Sequence, residues 1–487
     1  MGDSAYHIVS QTNHASFALK NRSYLQEYFI AFSLFSQPCR LLPPLILAER
    51  QVDMDIPNTI KGLLLSAIEW LVNNRELLAK NPDKDFTRIR KFGAFNLIHY
   101  ILSQTAESLP KDLYTYCRLN GILSKPTKSA VIQQRRRFKD NAFKTLFDRF
   151  NSLCKDLKTL FGYHIFAFDG TSINIAKNPD SPSYFEKQGY NQLLAVALYD
   201  VLNHTYNDFE VETKPKSYEV EIATRILERM AFPEKTIILA DRYYPTNNFI
   251  EHLNRKGVKY VLRSKSSNTF REINNLPDEE LDVDLHHQVR TTQTKEDLEA
   301  FRRGEAAYIT PYSRMNKERS HWDFEDVCDI NYRCVKIRIK KSLITLITNL
   351  PREEFPPKVL AELYRLRWEI ETSYRDLKYS IGLTDLHAKR EDYIYQEICA
   401  KFLMYNFCQR IAREVKIPYN PELKHQRKVN LTVAMRITKD FFREVKCKIE
   451  TIMDDIRRET EAYKPGAEDT RKKVKPKSFI PFIYRVA

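Results

Sequence analysis

Apolar and polar positions follow two different periods along this chain, and the change near residue 161 divides it. From residue 56 to 160 apolar positions recur every three or four residues, the period of a helix with one buried face. TIKGLLLSAIEWLVNNRELLAK, GAFNLIHYILSQTAESL and KSAVIQQRRRFKDNAFKTLFDRFNSL are predicted helices. Pro126 and Thr127, just before the third, suit a helix start. Beyond residue 161 short apolar runs bounded by turn residues take over. HIFAFDG is a predicted strand that turns at Asp169 and Gly170. QLLAVALYDVL and TYNDFEVET read as two further strands, and EVEIATRILERM as an amphipathic helix. TIILADRYY reads as a buried strand ending at Asp241, NNFIEHLNRKG as a helix and VKYVLRSK as a strand.

Residues 270–345 carry many charges, no sustained helical period and late alternation in YRCVKIRIKKSLITLIT, so a β-rich insertion is expected there. A helix through Tyr364–Lys378 follows, then a buried helix at QEICAKFLMYNFCQRIA, a polar helical region and a basic tail. The expected organisation is an extension over 1–55 and a helical region over 56–160. An α/β core follows in two parts, 161–269 and 346–415, around the insertion at 270–345. A helical C-terminal region over 416–487 ends in the tail.

With 487 residues, 43% of them hydrophobic, the chain can bury cores for about two to four domains. Its net charge of +15 is unevenly placed. Residues 125–149 carry net +6 and residues 464–487 net +5, and clustered cations suit a polyanion such as nucleic acid. The 8 cysteines are scattered without a CxxC pair, which argues against zinc-finger and thioredoxin-like chemistry and suits reduced thiols in a cytosol. His286 and His287 are adjacent but have no Cys or His partner at ligand spacing. No run approaches the length of a membrane span, no signal peptide is evident, and Tyr6 stands where a myristoylation signal wants Ser or Thr. A cytoplasmic protein with no membrane partner is expected.

The segment YRLRWEIETSYRDLK carries the candidate chemistry. On a continuous helix Tyr364, Arg367, Glu371 and Lys378 fall near about 0°, 300°, 340° and 320°, within one arc. Leu363, Leu366, Ile370, Tyr374, Leu377 and Ile381 form the neighbouring apolar stripe. Such a face is anchored by the core yet open to a ligand, and its phenol, cations and carboxylate suit a phosphate chain approaching a metal. Two predicted strands end in carboxylates, Asp169 and Asp241, and α/β sheets place ligands at strand ends. Three carboxylates brought together repel, and one stays protonated unless a cation joins them. Oxygen ligands without a nearby thiolate or imidazole favour Mg²⁺ or Mn²⁺. Two such ions suit in-line phosphoryl transfer by a polynucleotidyl transferase.

These residues resemble the DDE transposases of the insertion sequence 4 family. Their hallmark is Tyr, two residues, Arg, three residues, Glu, six residues, Lys, which Tyr364, Arg367, Glu371 and Lys378 meet without a gap. FAFDGTS around Asp169 and ILADRYYP around Asp241 resemble the family's first two catalytic segments, with Tyr243 where a small residue is common. DFTRIRKF and KSAVIQQRRRF resemble its amino-terminal DNA-binding region, and the likeness covers roughly residues 80–415. The resemblance implies a ribonuclease H-like core with Asp169, Asp241 and Glu371 as catalytic metal ligands for two Mg²⁺ ions, Mn²⁺ substituting. The long interval between Asp241 and Glu371 leaves room for the β insertion. The implied reaction is hydrolysis at transposon inverted-repeat ends, then attack of the freed 3′-hydroxyl on target DNA. The implied assembly is a dimer that synapses two ends in a prokaryotic, nucleoid-associated setting. By the same resemblance Tyr364 and Arg367 would hold the phosphate of a flipped nucleotide, and Lys378 the transposon end.

An indole in the insertion can stack on a flipped base, and Trp322 is the only Trp there. Gln133, Gln134, Arg135, Arg136, Arg137 and Lys139 can read base edges or neutralise phosphates. Three consecutive Arg cannot all face one groove, so Arg135, Arg137 and Lys139 are expected to matter more than Arg136. Three other readings stand beside the transposase. One is a derived DNA-binding protein that no longer cuts. Another is a general nuclease of the same fold. The last is a tyrosine recombinase using Tyr364 or Tyr374, which leaves the three carboxylates unexplained.

Overall fold

The computed structural model describes residues 56–88, 92–155, 158–187, 189–214, 218–265, 270–290, 294–303, 308–309, 322–339, 342–446 and 451–463. The expected extension over 1–55, the basic tail over 464–487 and much of the middle of the insertion fall outside the described residues.

The main sheet has 10 strands: β1 (His164–Ile175), β2 (Tyr184–Phe185), β3 (Tyr190–Asp200), β4 (Thr205–Thr213), β5 (Thr236–Ala240), β6 (Lys259–Ser264), β7 (Leu281–Arg290), β8 (Tyr308–Ile309), β9 (Val327–Ile339) and β10 (Ser342–Thr348). β3 runs antiparallel to β1, and β4 antiparallel to β3. β5 lies parallel to β1 on the other side, and β6 parallel to β5. Each parallel neighbour is reached through a helix, Glu219–Arg229 before β5 and Asn247–Arg255 before β6, because parallel strands need a crossover. The order β4-β3-β1-β5-β6 with these polarities is a ribonuclease H-like core.

The insertion does not stand apart. β10 pairs antiparallel with β6, from Thr345↔Ser264 to Thr348↔Val261, and β9, β7 and β8 follow outward. The open edge of β6 would otherwise leave backbone groups unpaired, so the insertion continues the sheet. Alternation along the strands gives the sheet two apolar faces. Ile165, Ala167, Ile237 and Leu239 enter one core with helices from both ends of the chain. Phe166, Phe168, Ile238 and Ala240 enter another, with Ile222, Ile226, Phe249 and Leu253 of the crossover helices.

The Glu391–Ala412 helix is buried around almost its whole circumference. It packs on β4 and on the Ile56–Asn73, Ala94–Leu102, Ala142–Leu153 and Leu431–Arg443 helices. The helical regions expected at the two ends therefore share one core around it.

The third predicted helix is two. Thr127 caps the first, accepting from the Ala130 N–H at 3.2 Å, but that helix stops at Arg135 and the next spans Ala142–Leu153. Between them the backbone pairs elsewhere: Lys80 N–H donates to the Arg137 carbonyl and Lys139 N–H to the Leu78 carbonyl. Arg135, expected to face DNA, is buried. Its guanidinium donates to Glu397 at 2.8 Å, to Gln396 at 3.1 Å and to the Tyr393 carbonyl at 2.9 Å. The exposed member of the Arg triplet is Arg136, the one expected to matter least. Arg137 is half-buried beside Asp85 at 3.5 Å, and Lys139 is exposed.

Arg135→Ala leaves Glu397 buried without its cation, held only by the His387 and Ala388 N–H groups, a change worth about 3–5 kcal/mol. Urea unfolding is expected to show that loss for Arg135→Ala, and a change within about 0.5 kcal/mol for Arg136→Ala. Equal, small losses would contradict the structural role given to Arg135.

Candidate active site

β1 does not end at Asp169 as expected. It continues to Ile175 and pairs with β3 throughout, Asp169 facing Ala197. What ends is its parallel pairing with β5, whose last partners are Phe168 and Ala240. Asp169 and Asp241 are the next residues on the two strands, so they stand side by side at the carboxyl end of the parallel pair. Asp241 accepts the Tyr243 N–H at 2.8 Å. The Tyr243 ring is 58% exposed, with the Lys265 ammonium 4.7 Å from its centre.

The third segment is not one helix. It is built as Pro357–Arg365, a turn at Leu366 and Arg367, Trp368–Asp376, and a π-helical turn over Leu377–Ile381 closed by Gly382 at φ 89°. The break keeps the four signature residues together. Arg367 Nη1 donates to Glu371 Oε1 at 2.6 Å. The Arg367 guanidinium lies 5.6 Å from the Tyr364 ring centre and 4.7 Å from that of Trp368. The Tyr364 hydroxyl and Arg367 Nε are buried with no hydrogen-bond partner of normal geometry. Lys378, on the π turn, feels both Lys214 and Asp169; burial first, then the Lys214 charge, lowers its pKa. Tyr374 ties this segment to β1, its hydroxyl donating to the Asp169 carbonyl at 2.6 Å.

Charge accumulates at the strand ends. Burial, then the charges of Glu219, Asp241 and Glu371, push the Asp169 carboxyl from its ordinary 3.8 to about 8, against the pull of Arg367. Glu219 has no role in the sequence reading. It opens the Glu219–Arg229 helix and accepts the Tyr244 hydroxyl at 2.7 Å and the Gly170 N–H. Burial raises its pKa as well. A Cβ at Gly170 would lie 2.6 Å from Glu219 Cδ, so a side chain there would displace the Glu219 carboxyl. A glycine directly after Asp169, with an acid opening the next helix, was the available signal.

The donors are all carboxylate oxygens, which suits a hard divalent cation. Among the described residues, however, no three His, Cys, Asp or Glu side chains stand close enough to share an ion. Glu371 is instead engaged by Arg367. Asp169, Asp241, Arg367, Glu371 and Lys378 thus lie within electrostatic reach of one another, with Tyr364 against Arg367, but the three carboxylates are not gathered on one point. No contact among the described residues joins Trp322, Arg137 or Lys139 to them. The Trp322 indole N–H donates to the Glu325 carbonyl at 2.8 Å, and its ring meets Phe324 edge-on at 5.1 Å. Asp323 beside it accepts from Asn248 and pairs with His252.

Residues 160–407 match the family described as "Transposase DDE domain". The chain is 22% identical over 329 residues to the transposase InsG of insertion sequence element IS4 from Escherichia coli strain K12, covering 64% of this chain and 67% of that one. It is 34% identical over 70 residues to the transposase of insertion sequence element IS421 from Escherichia coli, covering 14% of this chain and only 19% of that relative. Among solved structures, the synaptic complex of piggyBac transposase with hairpin DNA aligns over 86% of this chain and 88% of that one. The identity there is 11% and the TM-score 0.39. Among the described residues no helix is long and apolar enough to cross a membrane.

The raised Asp169 pKa sets a pH dependence. Between about 4 and about 8 the folded chain holds a proton there that the unfolded chain has released. Stability is therefore expected to fall as pH rises through that window, with EDTA present. Asp169→Asn mimics the protonated carboxyl and should lose this part of the slope. Urea unfolding at several pH values checks it, and parallel slopes for both proteins would contradict the crowding.

Proposed function

The chain belongs to the DDE transposases of the insertion sequence 4 family, and from that premise we propose that it cuts DNA at the inverted-repeat ends of a mobile element and joins the freed 3′-hydroxyl to target DNA. The observation that supports this reading is that Asp241 and Glu371, from two other elements, both act electrostatically on the buried Asp169, with Arg367 and Lys378 close by. Asp169, Asp241 and Glu371 would hold two Mg²⁺ ions, for which Mn²⁺ can substitute. When bound, such ions activate the attacking oxygen and stabilise the leaving one.

The remaining roles fall to the chain's own side chains. Arg367 and Tyr364 would receive a DNA phosphate, since the Tyr364 hydroxyl and Arg367 Nε are buried without a hydrogen bond of normal geometry. A phosphate that draws Arg367 away from Glu371 frees that carboxylate to join the two aspartates. DNA would then complete the acidic set itself, which limits cutting to bound substrate. Lys378 would contact the transposon end, and Trp322 would stack on an extruded base. The helical region over 56–160 would bind the duplex, with Arg137 and Lys139 on its backbone and Arg136 in place of the buried Arg135. A homodimer would hold two ends together.

A DNA-binding derivative without cleavage is the second reading, favoured by one observation: Glu371 is paired with Arg367 rather than gathered with the aspartates. Cleavage of a labelled duplex carrying the gene's flanking DNA separates the two. With Mg²⁺, wild type is expected to make end-specific cuts that EDTA abolishes and Glu371→Gln does not make. Equal cutting by both proteins would remove Glu371 from the site. Metal-independent binding with no cutting would favour the derivative.

A further inference from the structure

A cavity of about 540 Å³ lies behind the π turn, with Gln104, Tyr379, Asp385, Lys401, Arg436 and Lys439 in its wall. That size falls within the range of small-molecule sites. Its floor is the buried Glu391–Ala412 helix, which contributes Lys401 at 4% exposure. The Lys401 ammonium makes one long hydrogen bond, 3.4 Å to the Gln104 carbonyl. The Gln104 side chain is 1% exposed, and its Nε2 faces the Tyr100 hydroxyl without a hydrogen bond of normal geometry. Lys439 donates to the Ile381 carbonyl at 3.1 Å and has further N–H groups to offer. Burial, then the Lys439 charge, lowers Lys401 to about 7, against a weaker pull from Glu397, Asp385 and Asp112.

Two of the acids around the cavity are engaged elsewhere. Glu107 pairs with Lys111 at 2.8 Å, and Asp112 takes up Arg443 at 2.8 Å. Asp385 and Asp440 also line the cavity and attract Lys439, and Asp385 attracts Lys401, but the ammonium of Lys401 donates only the long bond to Gln104. Buried donors without acceptors are costly, and a ligand rich in acceptors relieves that cost. At the mouth stands Tyr379, 73% exposed and next in sequence to Lys378.

We propose that this cavity binds a phosphate group, with Lys401, Gln104 and Lys439 as its donors and the Tyr379 ring at its mouth to stack on an attached base. The phosphate comes either from a small free anion or from a DNA strand passing over the π turn. The site is separate from the carboxylate cluster and does not depend on cleavage. Its occupant would bear on the same turn that carries Lys378.

Thermal unfolding of the full chain in inorganic phosphate, against chloride at equal ionic strength, tests it. Saturating phosphate is expected to raise the wild-type Tm by about 2–4 °C. Lys401→Met fills the same space without a buried charge and should fold yet show no phosphate shift. Lys439→Gln should show a reduced one. Binding of a short mixed-sequence duplex at several salt concentrations then identifies the source. If DNA supplies the phosphate, Lys401→Met weakens binding, lowers the salt slope by about one, and phosphate has no effect once DNA is bound. If a free anion is the occupant, Lys401→Met leaves DNA affinity and slope unchanged. No phosphate-specific shift in wild type, or the same shift in both variants, would overturn the proposal.

Discussion

Four carboxylates repel one another where the parallel pairing of β1 and β5 stops. Asp169 and Asp241 are the first residues beyond that pairing, Glu219 opens the next helix, and Glu371 reaches in from the far segment. One guanidinium, that of Arg367, offsets part of this charge. The rest is held in place by packing. Tyr244 and Tyr374 spend their hydroxyls on Glu219 and on the Asp169 backbone, and both sheet faces are closed by apolar cores. A chain folded for stability alone would not keep this repulsion. In the proposed function a divalent cation would relieve it.

The helical layer supplies the rigidity this needs. The Glu391–Ala412 helix meets β4 on one side and helices from both ends of the chain on the others. Its Glu397 holds Arg135, so the basic segment near residue 135 is fixed to the same body as the carboxylates. The DNA-facing surface proposed for that segment is what remains outside: Arg136, Arg137 and Lys139.

Local patterns were legible where burial alone decides structure. TYNDFEVET coincides with β4, Thr205–Thr213, and the alternation in YRCVKIRIKKSLITLIT became the β9–β10 hairpin. The Tyr-Arg-Glu-Lys spacing located a real cluster although its helix is broken, because the turn at Leu366 and Arg367 keeps helical dihedral angles. Errors arose where a distant partner decides the outcome. Asp169 looked like a strand end because its turn-like neighbour Gly170 is small to admit Glu219, not to turn the chain. Arg135 looked like a DNA contact because Glu397, far along the sequence, could not be foreseen as its partner. That the insertion extends the core sheet along the open edge of β6 is invisible in a linear reading.

The most direct measurement is the uptake of Mn²⁺, followed by the loss of the free-ion electron paramagnetic resonance signal, in wild type and in Asp241→Asn. Asp241 contributes only charge and one backbone hydrogen bond, which Asn can also accept, so the fold should persist. Wild type is expected to bind Mn²⁺ and the variant to lose most of that binding. Equal uptake by both proteins would contradict the assignment of the strand-end carboxylates as the metal site.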